Sequence, residues 1–145
     1  MTTKEQYDKL KLKELVDTFS NLADVKDTKT QAQLFTENAK LESFNGDFHS
    51  VQNGREEIEE ACANFLALFD TVFHLNGQQV VTILDDTRAT GIAYCHVVLI
   101  GENEDGKRIQ TTQGVRYEDE YVKLDGDWKI ANRTSHFMYT DTKEV

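Results

Sequence analysis

The chain has 145 residues, a length that fits one domain of roughly 100–200 residues. Hydrophobic residues make up 39% and aromatic residues 10%, enough to bury a real core. The formal net charge of −10 argues against nucleic acid and against an anionic membrane surface, since both demand a basic footprint.

Two cysteines, Cys62 and Cys95, are too few for a disulfide framework and read as small core residues. The start, Met1-Thr-Thr-Lys-Glu-Gln6, has no apolar signal core. No run approaches the roughly 20 apolar residues of a membrane span. The expectation is a soluble, cytoplasmic protein with no membrane partner.

In chain order, Leu10, Leu12, Leu15, Val16, Phe19, Leu22 and Ala23 recur at helical spacing. Asp24-Val-Lys-Asp27 breaks the pattern. A short second helix follows, with Thr28 or Thr30 as N-cap and Ala32, Leu34 and Phe35 on its apolar side. The period then changes to two. Ala39–Phe44, the Asn45-Gly46 turn and Asp47–Val51 form a small hairpin that ends at Asn53-Gly54. Arg55 to Phe69 is a third helix with Ile58, Ala61, Cys62, Phe65, Leu66, Leu68 and Phe69 on its apolar stripe. Glu56, Glu57, Glu59 and Glu60 form its solvated face and place favourable charge near its N-terminus.

The remainder alternates as strand: Thr71–Leu84, Thr87–Glu102, Lys107–Lys123 and Asp127–Tyr139. Short turns separate these segments, and Asp125-Gly126 is the strongest, because a primed hairpin turn needs positive φ. The expected class is α+β: three N-terminal helices and a small hairpin packed on a curved, mostly antiparallel sheet that ends in a four-strand meander. Nothing marks a linker, so residues 1–145 read as a single domain.

In this order the local motifs resemble the SnoaL-like branch of the NTF2-like superfamily. The resemblance rests on Leu22-Ala-Asp24, Leu34-Phe-Thr-Glu-Asn-Ala39, Gly54-Arg-Glu-Glu-Ile58, Phe73-His74, Arg88-Ala89, Tyr117-Glu-Asp119 and Asp125-Gly-Asp-Trp128-Lys-Ile130 followed by Arg133. It covers nearly the whole chain. It implies a cone-shaped domain with a deep, mostly apolar pocket, often a homodimer through the sheet, whose enzymes use an Asp or His base and no metal or cofactor. Scytalone dehydratase, a relative, uses an Asp and two His. Asp24, His74 and His96 stand at similar places here. The pocket tyrosines of that enzyme have no clear counterpart, since Ala23 precedes Asp24 and Phe44 lies near the second place.

Each candidate carries two readings. Asp24 either serves as base or imidazole partner, or caps the turn that follows it. His74 either exchanges protons in the pocket or ends a strand. His96 shares a face with Ile92, Tyr94 and Val98, and is either a pocket group that needs a polar partner or a core or interface histidine. Arg116, Asp119 and Arg133 form an ion pair across the last hairpin, or Arg133 presents a fork to an anion. Tyr94, Tyr117 and Tyr121 either line the pocket or serve packing; with Phe44 and Arg133, Tyr94 and Tyr117 are the expected substrate-binding residues. His49 and His136 are weaker candidates. The four histidines lie at least 22 residues apart, which does not match zinc-ligand spacing.

The expected function is binding of a mostly apolar, aromatic or polyketide-like small molecule, with cofactor-free isomerisation, dehydration or cyclisation by Asp24, His74 and His96. The alternative is a non-catalytic ligand-binding or dimerisation module. Convergence of the three titratable groups on one cavity separates the two.

Overall fold

The computed structural model describes residues 1–145. Three helices precede or interrupt the strands: α1 Thr3–Asp24, α2 Thr28–Ala32 and α3 Arg55–Leu66. Six strands, β1 Phe35–Asn45, β2 Phe48–Asn53, β3 Thr71–Ile83, β4 Arg88–Glu102, β5 Arg108–Leu124 and β6 Asp127–Glu144, form one sheet in the order β2-β1-β6-β5-β4-β3. Every pairing is antiparallel except β1 with β6. No helix is long and apolar enough to cross a membrane.

Helix α1 starts where Thr2 accepts a hydrogen bond from the Glu5 N–H. It ends because Lys26 takes a left-handed conformation at φ +60°, while Lys26 and Asp27 return their N–H groups to the carbonyls of Ala23 and Leu22. Leu12, Leu15, Val16, Phe19 and Ala23 are its buried stripe; Leu10 falls off that stripe and is exposed. Asp27, not a threonine, caps α2 through the Thr30 N–H. Leu34 and Phe35 lie beyond that helix, and Phe35 opens β1 fully buried. The Asp125-Gly126 turn has both residues at positive φ, as a primed turn requires. The last strand runs past Tyr139 to Glu144, because the long β5 offers it partners as far as Ile109.

The core lies between the helices and one face of the sheet. Along β4 the buried residues are Ala89, Gly91, Ala93, Cys95, Val97, Leu99 and Gly101. Small side chains there let the helices and the tyrosines of β5 approach: a Cβ built on Gly91 would stand 2.9 Å from the Tyr121 ring. The bulkier alternate residues, Ile92, Tyr94 and His96, therefore face away from the helices. Cys95 is buried and Cys62 partly buried against the core, and burial pushes both thiols up to about 11.

Candidate functional site

Strand β3 carries polar side chains on its helix-packed side, and each meets α1. Gln79 Nε2 donates to the Leu12 carbonyl at 3.3 Å. Asn76 Nδ2 donates to Asp17 at 2.9 Å and to the Val16 carbonyl at 3.3 Å, while Ser20 Oγ donates to Asn76 Oδ1 at 3.0 Å. Two strand residues advance about 6.8 Å and four helix residues about 6 Å, so the two elements stay nearly in step. The next rung above Ser20 is Asp24, and the next above Asn76 is His74.

There the imidazole Nδ1 lies 2.7 Å from Asp24 Oδ1, and the His74 backbone N–H donates to Asp24 Oδ2 at 3.2 Å. The carboxylate thus holds both the ring and the strand that carries it. A carboxylate accepts only, so Nδ1 carries the proton and Nε2 keeps its lone pair. The His74 side chain is 10% exposed and that of Asp24 26%. Burial pulls the His74 proton affinity below its ordinary value; Asp24 opposes this and the Arg133 charge adds to it. The net result is a neutral imidazole near neutral pH.

Deeper on the same face, Arg133 and Asp119 form an ion pair with both side chains fully buried. Arg133 Nε and Nη2 each donate to Asp119 at 2.8 Å. Tyr121 donates its hydroxyl to the same carboxylate at 2.7 Å and accepts from Gln79 at 3.3 Å. The guanidinium lies 3.9 Å from the Tyr117 ring centroid and 4.5 Å from that of Phe19. Burial alone would weaken its hold on its proton, but Asp119 reverses this and raises the Arg133 pKa. Burial pushes the Tyr117 and Tyr121 hydroxyls up, so both stay protonated donors. The ion pair across the last hairpin is therefore Asp119 with Arg133; Arg116 pairs instead with Glu118 on the other face.

The structure brings Asp24, His74, Tyr117 and Arg133 to the helix-packed face. It does not bring His96, Tyr94 or Phe44 there. His96 is directly opposite Leu75 on β3, whereas His74 is opposite the buried Val97. Neighbouring residues of a strand point to opposite faces, so His74 and His96 are on opposite sides of the sheet. Tyr94 is on the side of His96, and Phe44 stacks between His49 and His136 on that same open face. The expected convergence of Asp24, His74 and His96 is corrected to a dyad of Asp24 and His74.

The turn-capping role weighed for Asp24 belongs to Asp27. Asn76, Gln79 and Ser20, which set the height of the dyad, went unnoticed in the sequence; the alternation His74, Asn76 on a strand with apolar neighbours was the available signal. No three His, Cys, Asp or Glu side chains gather to hold a metal ion.

Three surface clefts are prominent, and neither Asp24 nor His74 lines any of them. One of about 550 Å³ lies on the open face, lined in part by Leu75, Tyr94, His96, Met138 and Tyr139.

The sequence profile of the SnoaL-like domain matches residues 5–134. No curated protein matches the sequence. Among solved structures, the chain is similar to a scytalone dehydratase-like protein from Novosphingobium aromaticivorans, with 21% identity over 100% of this chain and 93% of the other, and a TM-score of 0.86. It is also similar to a hexachlorocyclohexane dehydrochlorinase, LinA, with 16% identity over 97% and 91% of the two chains and a TM-score of 0.77. A third relative, from Xanthomonas campestris, is described as a calcium/calmodulin-dependent protein kinase II association domain. It shares 25% identity over 88% of this chain and 85% of its own, with a TM-score of 0.69.

Proposed function

The chain belongs to the SnoaL-like family, and on that premise we propose that it binds a mostly apolar small molecule and catalyses a cofactor-free proton transfer. The three expected groups do not converge, which counts against the three-residue mechanism; the reading survives in a two-residue form, carried by the 2.7 Å contact between His74 Nδ1 and Asp24 on the helix-packed face. His74 Nε2 is the general base and takes a proton from carbon. Asp24 holds the tautomer and stabilises the imidazolium that forms. Return of that proton to another carbon gives isomerisation; its delivery to a departing hydroxyl gives dehydration; attack of the carbanion on a second carbonyl gives cyclisation. Tyr117 and Arg133 supply hydrogen-bond donors on the same face. The dehydratase-like and dehydrochlorinase structures support this reading through the fold alone.

The test is solvent-deuterium exchange. A panel of small aromatic compounds with acidic C–H bonds is incubated with the protein in heavy water, and deuterium incorporation is read by mass spectrometry. Incorporation by the wild type that is lost in His74→Gln supports the base. Incorporation that survives in His74→Gln overturns it.

A non-catalytic dimerisation module is the second reading, and the open sheet face favours it. Phe44, Leu75, Ile92, Tyr94 and Met138 are exposed there. A homodimer through that face fits either reading. Tyr94→Glu should lower the mass seen by light scattering to that of a monomer. An unchanged mass removes the sheet-face dimer.

A further inference from the structure

The parallel register of β1 on β6 runs as far as Phe44 opposite His136. Strand β6 continues to Glu144, and beyond that point it is paired on one side only, with β5. The β1–β2 turn begins level with Phe137, so it leaves the edge clear from Thr140 onward. Residues Met138–Val145 are all exposed. Such an edge offers a row of free N–H and C=O groups to another strand.

The phase of the ladder says which groups are free. The Val145 N–H donates to the Arg108 carbonyl at 3.0 Å, and the register from Ile109 to Gly114 is unbroken. In an antiparallel ladder, hydrogen-bonded pairs alternate with non-bonded ones. Tyr139, Asp141 and Lys143 therefore turn their backbone groups to β5. Thr140, Thr142 and Glu144 turn theirs to the open edge. Side chains alternate in the same way: Tyr139, Asp141, Lys143 and Val145 share one face, and Thr140, Thr142 and Glu144 share the other.

We propose that this edge pairs with the same edge of a second copy, antiparallel about a two-fold axis at Thr142. The pairing joins two six-stranded sheets into one. It is separate from the dyad and from any contact through the open sheet face. With Thr142 opposite Thr142, Thr140 meets Glu144, so the free backbone groups of one edge meet those of the other. The same register sets Asp141 opposite Lys143 on both sides of the axis and Tyr139 opposite Val145, and both are favourable cross-strand pairs. Moving the axis to Asp141 sets aspartate against aspartate. Moving it to Lys143 sets lysine against lysine. Charges on an edge strand usually keep copies apart. Here their alternation repels in the two neighbouring registers and attracts in the one between them.

Amide hydrogen exchange, read by NMR in dilute and concentrated samples, tests this on the wild type. Exchange at Thr140, Thr142 and Glu144 should slow about tenfold on concentration. Asp141 and Lys143, already held by β5, are the internal control. The same slowing should appear in Tyr94→Glu, which separates edge pairing from pairing through the face. Thr142→Pro removes an edge donor and leaves the β5 ladder whole. In it, Thr140 and Glu144 should exchange at the dilute rate at every concentration. Asp141→Lys sets lysine opposite Lys143, and Lys143→Asp sets aspartate opposite Asp141. Each should weaken association about tenfold in sedimentation equilibrium. Asp141→Lys combined with Lys143→Asp brings opposite charges together again and should restore association. Exchange that ignores concentration in the wild type, single variants that associate as the wild type does, or a double variant as weak as the single ones overturns the proposal.

Discussion

Removing Asp119 should cost more stability than any other single side-chain truncation in the site. Both side chains of the Asp119–Arg133 pair are fully buried, and the carboxylate accepts three hydrogen bonds, from Arg133 Nε, Arg133 Nη2 and Tyr121. Asp119→Ala leaves the guanidinium charged and without any acceptor, since Nη1 has none already. Breaking a buried pair from one side costs about 3–5 kcal/mol, and orphaning the Tyr121 hydroxyl adds about 1 kcal/mol. The total, about 4–6 kcal/mol, is a large share of the roughly 5–15 kcal/mol that holds a domain folded. At a slope of about 2 kcal/mol per molar urea, the unfolding midpoint should fall by about 2–3 M. The paired replacement Asp119→Leu with Arg133→Met keeps an unbranched chain between Phe19 and Tyr117 and leaves no buried charge. It should recover more than half of the loss. Urea denaturation followed by far-ultraviolet circular dichroism measures both variants. A cost below about 1 kcal/mol for Asp119→Ala, or a double variant no more stable than the single one, would refute the reasoning.

Other consequences are as specific. His74 holds its proton less tightly in the folded protein than its ordinary 6.5, through burial and Arg133 against the opposing Asp24. The unfolded chain therefore binds more protons in that window. The stability this group contributes is complete above pH 6.5 and falls as pH drops toward the folded midpoint. Asp24→Asn removes the opposing partner, so the decline should extend to lower pH in a series of thermal melts. His96→Ala should change stability by less than about 0.5 kcal/mol and leave any His74-dependent exchange intact, because the side chain stands on the open face. Asp8, a buried residue of α1, accepts from Lys123 at 2.9 Å and Trp128 at 3.1 Å. Asp8→Ala should cost about 1–3 kcal/mol and shift the fluorescence of Trp128, the single tryptophan.

The strands and their turns were legible because period-two alternation and turn residues are local signals. Arg88–Glu102 and Asp127 onward fall where alternation and Asp125-Gly126 put them. The facing of β4 was not legible by the same rule. Alternation separates Ala89, Gly91, Ala93 and Cys95 from Ile92, Tyr94 and His96 but does not say which set meets the helices. The family resemblance pointed to the second set, through His96. The structure buries the first, because closely packed helices and the Tyr121 ring need small partners. That choice alone took His96 and Tyr94 out of the site. Phe44 went with them, since it pairs with His136 across the parallel β1–β6 register. Asp24 and His74 were visible as candidates, but their contact depends on the step-matching of Gln79, Asn76 and His74 along α1, which is a tertiary relation. The clamp on Arg133 was half visible, because Asp119 lies directly across from it on the neighbouring strand.

The central claim is a neutral His74 with its proton on Nδ1 and a free Nε2. Ring-nitrogen NMR of the protein, labelled at histidine, reads this directly and needs no substrate. The account predicts for His74 a protonated Nδ1, an unprotonated Nε2 at neutral pH, and a titration midpoint below 6.5. An Nε2–H tautomer, or a midpoint above 6.5, would contradict it.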